Sequence, residues 1–201
     1  QEAGERRRRE LVAVDLAGGA VRWRVAVPGL PAGLPVVGQG VLPLTHGAAP
    51  TLAGGEVLWC TDGGVLASWD AAAGMLRWAA ALPHADQDPG DGRRSLRVVA
   101  GRAASRVVAG ADTVYVAPAD ALGVHALDRA TGRLRWVRPL HAARQLAALA
   151  EGPDGALIVE DGFVEALDPA TGATRWRWRP TGENEIPCGS AAVADGHVTV
   201  S

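Results

Sequence analysis

One short pattern occurs four times in this chain, and it restricts the fold more than any other feature. Its fullest form is Val124-His125-Ala126-Leu127-Asp128-Arg129-Ala130-Thr131-Gly132-Arg133-Leu134-Arg135-Trp136. It recurs from Val164 to Trp176, with Asp168, Thr171, Gly172 and Trp176 in register. Looser copies run from Val65 to Trp78, around Asp70 and Gly74, and from Leu11 to Trp23, around Asp15 and Gly19. In every copy Gly follows Asp by four residues and Trp follows it by eight. Repetition at fixed offsets is the signature of a repeat architecture.

The pattern has a local physical meaning. Val-x-Ala-Leu-Asp alternates as a half-buried strand does. The Asp carboxylate starts a turn by accepting backbone N–H groups one or two residues on. Gly closes the loop at positive φ, where it has no Cβ to clash. The next strand carries Trp as its large apolar anchor. Each copy is therefore a β-hairpin with a Trp at a fixed place on the outgoing strand.

Between the copies lie further short strands. Pro50–Ala53, Val57–Cys60, Val65–Trp69 and Leu76–Ala80 make one set of four, separated by Gly54-Gly55, Asp62-Gly63-Gly64 and the turn ending at Gly74. Arg106–Ala109, Val114–Ala117, Val124–Leu127 and Leu134–Val137 make a second. Residues 145–150 read as the first strand of a third set, ahead of Ala156–Glu160, Phe163–Leu167 and Thr174–Trp178. Two strands, Ser190–Ala194 and His197–Ser201, flank the turn Asp195-Gly196. Pro28 to Pro35 reads as a non-helical connector, Val36–Leu44 as an extra hairpin and His84–Ser95 as a polar loop.

Asp128 and Asp168 lie 40 residues apart, and the two earlier spacings stretch to 55 and 58 through the extra hairpin and the polar loop. Four antiparallel strands at a period near 40 define a β-propeller blade. The expected fold is all-β, with about four blades in residues 11–201 and residues 1–10 as a linker or tail. Each sheet has two faces, and a neighbouring blade covers each. A Trp buried between blades contributes about 2–3 kcal/mol.

Composition agrees with a turn-rich β protein and narrows the partners. Apolar residues make up 48% of the chain, with 26 Gly and 13 Pro. The formal net charge of −2 provides no field to recruit nucleic acid or an anionic membrane. No run is long enough and apolar enough to insert into a bilayer. All 20 basic residues are Arg, which together with the Ala and Gly content reads as GC-rich codon usage. The basic run Arg6–Arg9 reads as part of a solvated linker. The start at Gln1 and the stop at Ser201 inside a strand favour an open arc cut from a longer protein over a small closed ring or a two-chain ring.

The motif Val-x-Ala-Leu-Asp-x-x-Thr-Gly-x-x-x-Trp resembles the repeat of the pyrroloquinoline-quinone (PQQ)-like β-propeller superfamily. The resemblance spans most of residues 11–201, and is weakest at 11–23, where Gly18 replaces Thr. It implies that Asp, Gly and Trp lock adjacent blades and do not bind quinone. The superfamily includes quinoprotein dehydrogenases, barrel-assembly lipoproteins and sensor domains of actinobacterial kinases. The style here is closest to non-enzymatic actinobacterial members.

The dehydrogenases of that superfamily carry a vicinal disulfide, a calcium site and an Asp base. This chain has only Cys60 and Cys188, which are not adjacent, and no ligand set that can be carried over residue by residue. Either cysteine state, paired in an exported protein or free in a reducing compartment, fits the sequence.

Other candidate chemistry is weak. Asp86, Asp88 and Asp91 crowd one loop, but Pro89 interrupts it, and position 97, where a calcium loop needs Glu, is Arg. His46, His84, His125, His141 and His197 lack paired metal-ligand spacing. His125 alternates with the buried positions of its strand and is expected at the surface. No residue is nominated as catalytic, cofactor-binding or metal-ligating, and no cofactor is expected.

The sequence therefore predicts a non-catalytic propeller that binds a protein or a small ligand through its loops, with 84–95 the first place to look. The expected setting is extracytoplasmic or the cell envelope, or a place beside another domain of a longer protein. The alternative is a relative or fragment of a PQQ-dependent dehydrogenase using quinone and calcium.

Overall fold

A computed structural model of the chain describes residues 10–27, 49–61, 64–82, 106–118, 123–139, 149–151, 155–160, 163–179, 181, 192–195 and 197–199. Within them the regular structure is entirely β. Strands β1 (Glu10–Val14) and β2 (Val21–Ala26) form a two-stranded sheet. Three four-stranded antiparallel sheets follow in chain order. The first is β3 (Thr51–Ala53), β4 (Glu56–Cys60), β5 (Val65–Asp70) and β6 (Leu76–Ala81). The second is β7 (Val108–Ala109), β8 (Thr113–Val116), β9 (Gly123–Asp128) and β10 (Leu134–Pro139). The third is β11 (Leu149–Glu151), β12 (Leu157–Glu160), β13 (Val164–Leu167) and β14 (Thr174–Trp178). A last two-stranded sheet pairs β15 (Ala192–Ala194) with β16 (His197–Thr199).

Every sheet is a simple meander, as the short Gly-rich turns require. The first strands β3, β7, β11 and β15 are neighbours across the sheets, so they form the inner side of the arc. No helix among the described residues is long and apolar enough to cross a membrane.

The core lies between sheets. Leu58, Leu66 and Trp78 of the first full sheet pack with Val114, Val116 and Leu127 of the second. Val124 and Ala126 of the second pack with Leu157, Val159 and Leu167 of the third. Leu11, Trp23 and Val25 of the opening hairpin lie on Ala67 and Trp69. Val193 and Val198 of the closing hairpin lie on Ile158, Val164 and Ala166.

Because a neighbour covers each face, the alternating strand pattern does not separate core from solvent. His125 shows the consequence: it is 2% exposed, not at the surface as its alternation suggested. The same faces hold Glu56, Ser68 and Glu165 out of water. The extra hairpin at 36–44, the connector at 28–35, the polar loop at 84–95 and Cys188 lie outside the described residues.

The opening and closing hairpins occupy separate sheets. They correspond to the outer and inner halves of a blade, and they do not pair with each other here.

Candidate functional site

The best-built feature of the chain is the lock that its repeat makes between blades. Each Asp organises its own turn. Asp15 Oδ1 accepts from the N–H groups of Ala17 and Gly18 at 3.0 and 3.2 Å, and Asp70 Oδ1 from Ala72 and Ala73 at 3.0 and 2.9 Å. Asp168 takes Ala170 and Thr171, each at 3.0 Å. The bonds thus reach two and three residues on, one further than the local reading placed them. Where the repeat has Thr, the hydroxyl joins in: Thr131 and Thr171 donate to the same oxygen at 2.8 and 3.0 Å.

The backbone closes each turn identically. The N–H of Gly19, Gly74, Gly132 and Gly172 donates to the carbonyl of its own Asp at 2.8–2.9 Å, with φ between 69° and 72°. A β-branched residue would be strained at that angle.

A β-bulge completes the hairpin. In each copy the residue before Trp is skipped by the ladder: Val14 pairs with Val21 and Ala13 with Trp23, leaving Arg22 between. Arg77, Arg135 and Arg175 are skipped in the same way. The bulge re-aims each Arg at the second oxygen of its Asp: Arg22 to Asp15 at 2.6 Å, Arg77 to Asp70 and Arg135 to Asp128 at 2.8 Å, and Arg175 to Asp168 at 3.0 Å. The guanidinium hydrogen bond is the main cause that holds all four carboxyls below their ordinary range, with the turn's other donors adding to it. Asp128, with Arg135 and Thr131 both donating, is lowered to about 2. The sequence reading missed this Arg. Its fixed place seven residues after Asp in all four copies was the available signal.

The Trp reaches forward to the next blade. Trp23 Nε1 donates to the carbonyl of Ala71 at 3.0 Å, Trp78 to Arg129 at 2.8 Å and Trp136 to Pro169 at 3.1 Å. Each acceptor is the residue after the next Asp. The indole lies flat against the next turn Gly. A Cβ added to Gly74, Gly132 or Gly172 would meet Trp23, Trp78 or Trp136 at 2.7, 2.5 and 2.8 Å respectively. Gly therefore serves twice, by its φ and by leaving room for the ring. Every Trp also faces a small residue on its own sheet: Ala13, Ser68, Ala126 or Ala166.

Two buried ion clusters reinforce the full interfaces. Arg129 bonds Glu56, and also donates to the carbonyls of Gly110 at 2.6 Å and Ala53 at 3.0 Å, while Ser68 donates to Glu56 at 2.6 Å. Across the next interface Glu165 receives Arg177 and, at 3.2 Å, Arg138, which also donates to Thr174 at 2.7 Å. Glu56 and Arg129 lie 73 residues apart, so no local pattern announces the pair.

The remaining titratable groups offer little reactive geometry. Burial pushes the His125 imidazole down, keeping it neutral, and its Nδ1 has no hydrogen-bond partner among the described residues. His197 Nδ1 lies 2.7 Å from the carbonyl of Asp195 at the surface. Cys60 is buried, with its Sγ 3.7 Å from the carbonyl oxygen of Thr61. Among the described residues no three His, Cys, Asp or Glu side chains converge as metal ligands. An open hollow of about 440 Å³ beside the first turn is lined by Ala13, Val14, Asp15, Leu16, Arg22 and Ala71. Its charged groups, Asp15 and Arg22, are already paired with each other. Asp86, Asp88 and Asp91, the histidines at 46, 84 and 141, and Arg6–Arg9 lie outside the described residues.

The comparisons with known proteins agree with this geometry. Residues 7–89 match the family described as outer membrane protein assembly factor BamB. Among solved structures, BamB from Moraxella catarrhalis superposes with a TM-score of 0.63 at 19% identity, covering 91% of this chain and 47% of that one. A europium-containing methanol dehydrogenase superposes with a TM-score of 0.58 at 15% identity, covering 85% of this chain and 38% of that one. The chain thus spans less than half the length of either, and at these identities the likeness is one of fold. No curated protein matches the sequence.

Proposed function

We propose that this chain, which has the repeat and the fold of the PQQ-like β-propeller superfamily, works as a non-catalytic interaction module in an extracytoplasmic setting. One observation carries the reading. The recurrent acidic residues Asp15, Asp70, Asp128 and Asp168 are each held ionised by an arginine and pushed below their ordinary range. A general base at neutral pH needs the opposite shift, toward 7. The imidazole of His125 is buried within the blades, and burial pushes it down. The repeat is thus built to hold blades in register, and contacts fall to the loops that this rigid frame presents.

The family description of residues 7–89, an assembly factor of the outer membrane, supports the envelope setting and a polypeptide as the thing bound. The dehydrogenase likeness supplies the competing reading, with quinone and calcium as cofactors, and rests on fold alone.

Equilibrium dialysis against PQQ with calcium separates the two. The interaction reading expects no retained quinone and no alcohol-dependent dye reduction. It also expects a urea-unfolded outer-membrane β-barrel polypeptide, diluted onto the immobilised chain, to bind saturably. Retention of one quinone per chain with alcohol-dependent turnover would replace it with the dehydrogenase reading.

A further inference from the structure

The interface between the second and third full sheets departs from the repeat. Its third-sheet side carries Phe163, Glu165, Arg177 and Arg179. At the same offsets from Asp the first full sheet has Val65, Ala67, Ala79 and Ala81, and the second has Gly123, His125, Val137 and Pro139. Glu165 lies opposite Arg177 in the ladder. It faces away from the closing hairpin, because its neighbours Val164 and Ala166 are the ones that pack with Val193 and Val198. Arg138, ten residues after Asp128 where the first full sheet has Ala80, crosses from β10 to meet it. The other two sheets stack without these charges, so the fold does not require them.

The cluster is unbalanced. Buried Glu165 takes both Arg138 and Arg177. Arg138 also donates to the Gly172 carbonyl at 3.2 Å and to Thr174 at 2.7 Å, and its Nε has no hydrogen-bond partner among the described residues. Arg179 makes no ion pair among them. Three guanidinium charges thus face one carboxylate, on a chain whose formal net charge is −2. Phe163, the sole phenylalanine, holds the two outer arginines in place. The guanidinium carbon of Arg177 lies 4.3 Å from its ring centroid and that of Arg179 5.3 Å. An arginine stacked on a ring keeps its in-plane N–H donors, and it has already lost part of the freedom that binding takes away. Arg177 gives Nε and Nη2 to Glu165, which leaves Nη1. Arg179 is exposed, with its whole fork available.

We propose that Arg177 and Arg179, on the Phe163 platform, bind a carboxylate of an acidic polypeptide segment. The carboxylate accepts from the Arg179 fork and from Arg177 Nη1, in the planar pairing that guanidinium and carboxylate favour. A singly charged group suits the place better than a phosphate, whose second charge would be brought up against Glu165. One exposed fork holds a lone carboxylate weakly, whereas neighbouring acidic residues on one chain supply a high local concentration. That the ligand is a polypeptide rests on the interaction role proposed above. Its acidic chemistry and its place on the third sheet rest on the arginine cluster alone.

Fluorescence anisotropy of a labelled peptide of alternating Glu and Gly, titrated with the 201-residue chain, tests the site. The Glu peptide is expected to bind about tenfold tighter than the same peptide with Gln for Glu, and to weaken as salt is raised. Arg179→Gln is expected to weaken it about tenfold while the circular dichroism spectrum stays unchanged. Phe163→Leu keeps every charge but frees the stacked arginines, and is expected to weaken it about threefold. Arg133→Gln removes one exposed arginine from a different turn and is expected to leave binding as it was.

Equal binding of the Glu and Gln peptides overturns the proposal. So do equal losses in Arg179→Gln and Arg133→Gln, which would show attraction by charge without a site. Displacement of the peptide by inorganic phosphate at concentrations where free glutamate has no effect would make it a phosphate site instead. The interaction role fails or stands separately. If neither wild type nor Arg179→Gln binds the acidic peptide, yet both bind the unfolded barrel polypeptide alike, this site is removed and that role remains. If the acidic peptide binds and the barrel polypeptide does not, the site stands and the barrel polypeptide is the wrong partner.

Discussion

Trp78 and Trp176 occupy the same place in their blades, opposite Ser68 and Ala166, each preceded by a bulged Arg. Trp78 is 8% exposed and Trp176 44%. The hairpins around them are alike in turn, bulge and ion pair. The difference comes wholly from what lies beyond: the second full sheet places Gly132 against Trp78, and nothing described lies equivalently on Trp176. Burial in a repeat protein is therefore a property of the interface and not of the unit.

The largest expected contrast is between truncations of those two residues. Trp78→Ala removes a buried indole and its bond to Arg129 and is expected to cost about 3–5 kcal/mol. Trp176→Ala is expected to cost under about 1 kcal/mol in dilute solution. Urea unfolding followed by circular dichroism measures both. Equal losses would mean that the two faces are equally covered.

The buried ion cluster sharpens the same contrast. Glu56→Ala leaves Arg129 without its carboxylate inside the first full interface and is expected to destabilise by about 3 kcal/mol. Glu10→Ala, which removes only the exposed pair with Arg24, is expected to stay within about 0.5 kcal/mol. A double-mutant cycle with Arg129→Ala would show whether the cluster couples as a unit.

The turn glycines separate backbone strain from crowding. Gly19→Val meets only an unfavourable φ of 69° and is expected to cost about 1–2 kcal/mol. Gly132→Val meets φ 70° and Trp78 at 2.5 Å together, and is expected to cost more by a further 1 kcal/mol or about that. Gly132→Asn relieves the strain but not the crowding, so it falls between them. Thermal unfolding that ranks Gly19→Val as the worse variant would reverse the assignment of the covered face.

The smallest effect is in acid. The Asp128 carboxyl titrates near 2 in the fold against an ordinary 3.8. A lowered pKa means that the unfolded chain binds the proton first, so this contribution is complete above about pH 4 and is lost as pH falls through about 2. Asp128→Asn is expected to flatten the fall in urea midpoint between those values without moving the midpoint slope at neutral pH. A variant as acid-sensitive as the parent would place the acid response elsewhere.

Much of the frame was readable before any coordinates. The offsets of Asp, Gly and Trp predicted hairpins, a period and a blade, and Gly19, Gly74, Gly132 and Gly172 all take the positive φ the turn demanded. These are local properties, set by neighbours a few residues away. Two local signals were passed over or misread. The Arg seven places after each Asp is hidden by the abundance of Arg, and the alternation around His125 suggests an inside and an outside where both faces are covered.

What the sequence determined alone is the unit: strand, Asp turn, Gly, bulge, Trp, repeated along the chain at spacings that make four-stranded sheets. What only the tertiary structure decided is which faces of those units meet. Arg129 reaching Glu56 over 73 residues, His125 sealed in a central strand, and Trp176 left bare where its three equivalents are covered all depend on the sheet next door. Short-range hydrogen bonding and steric limits on φ act within a hairpin, whereas burial and charge pairing act between surfaces that come together only when the blades stack.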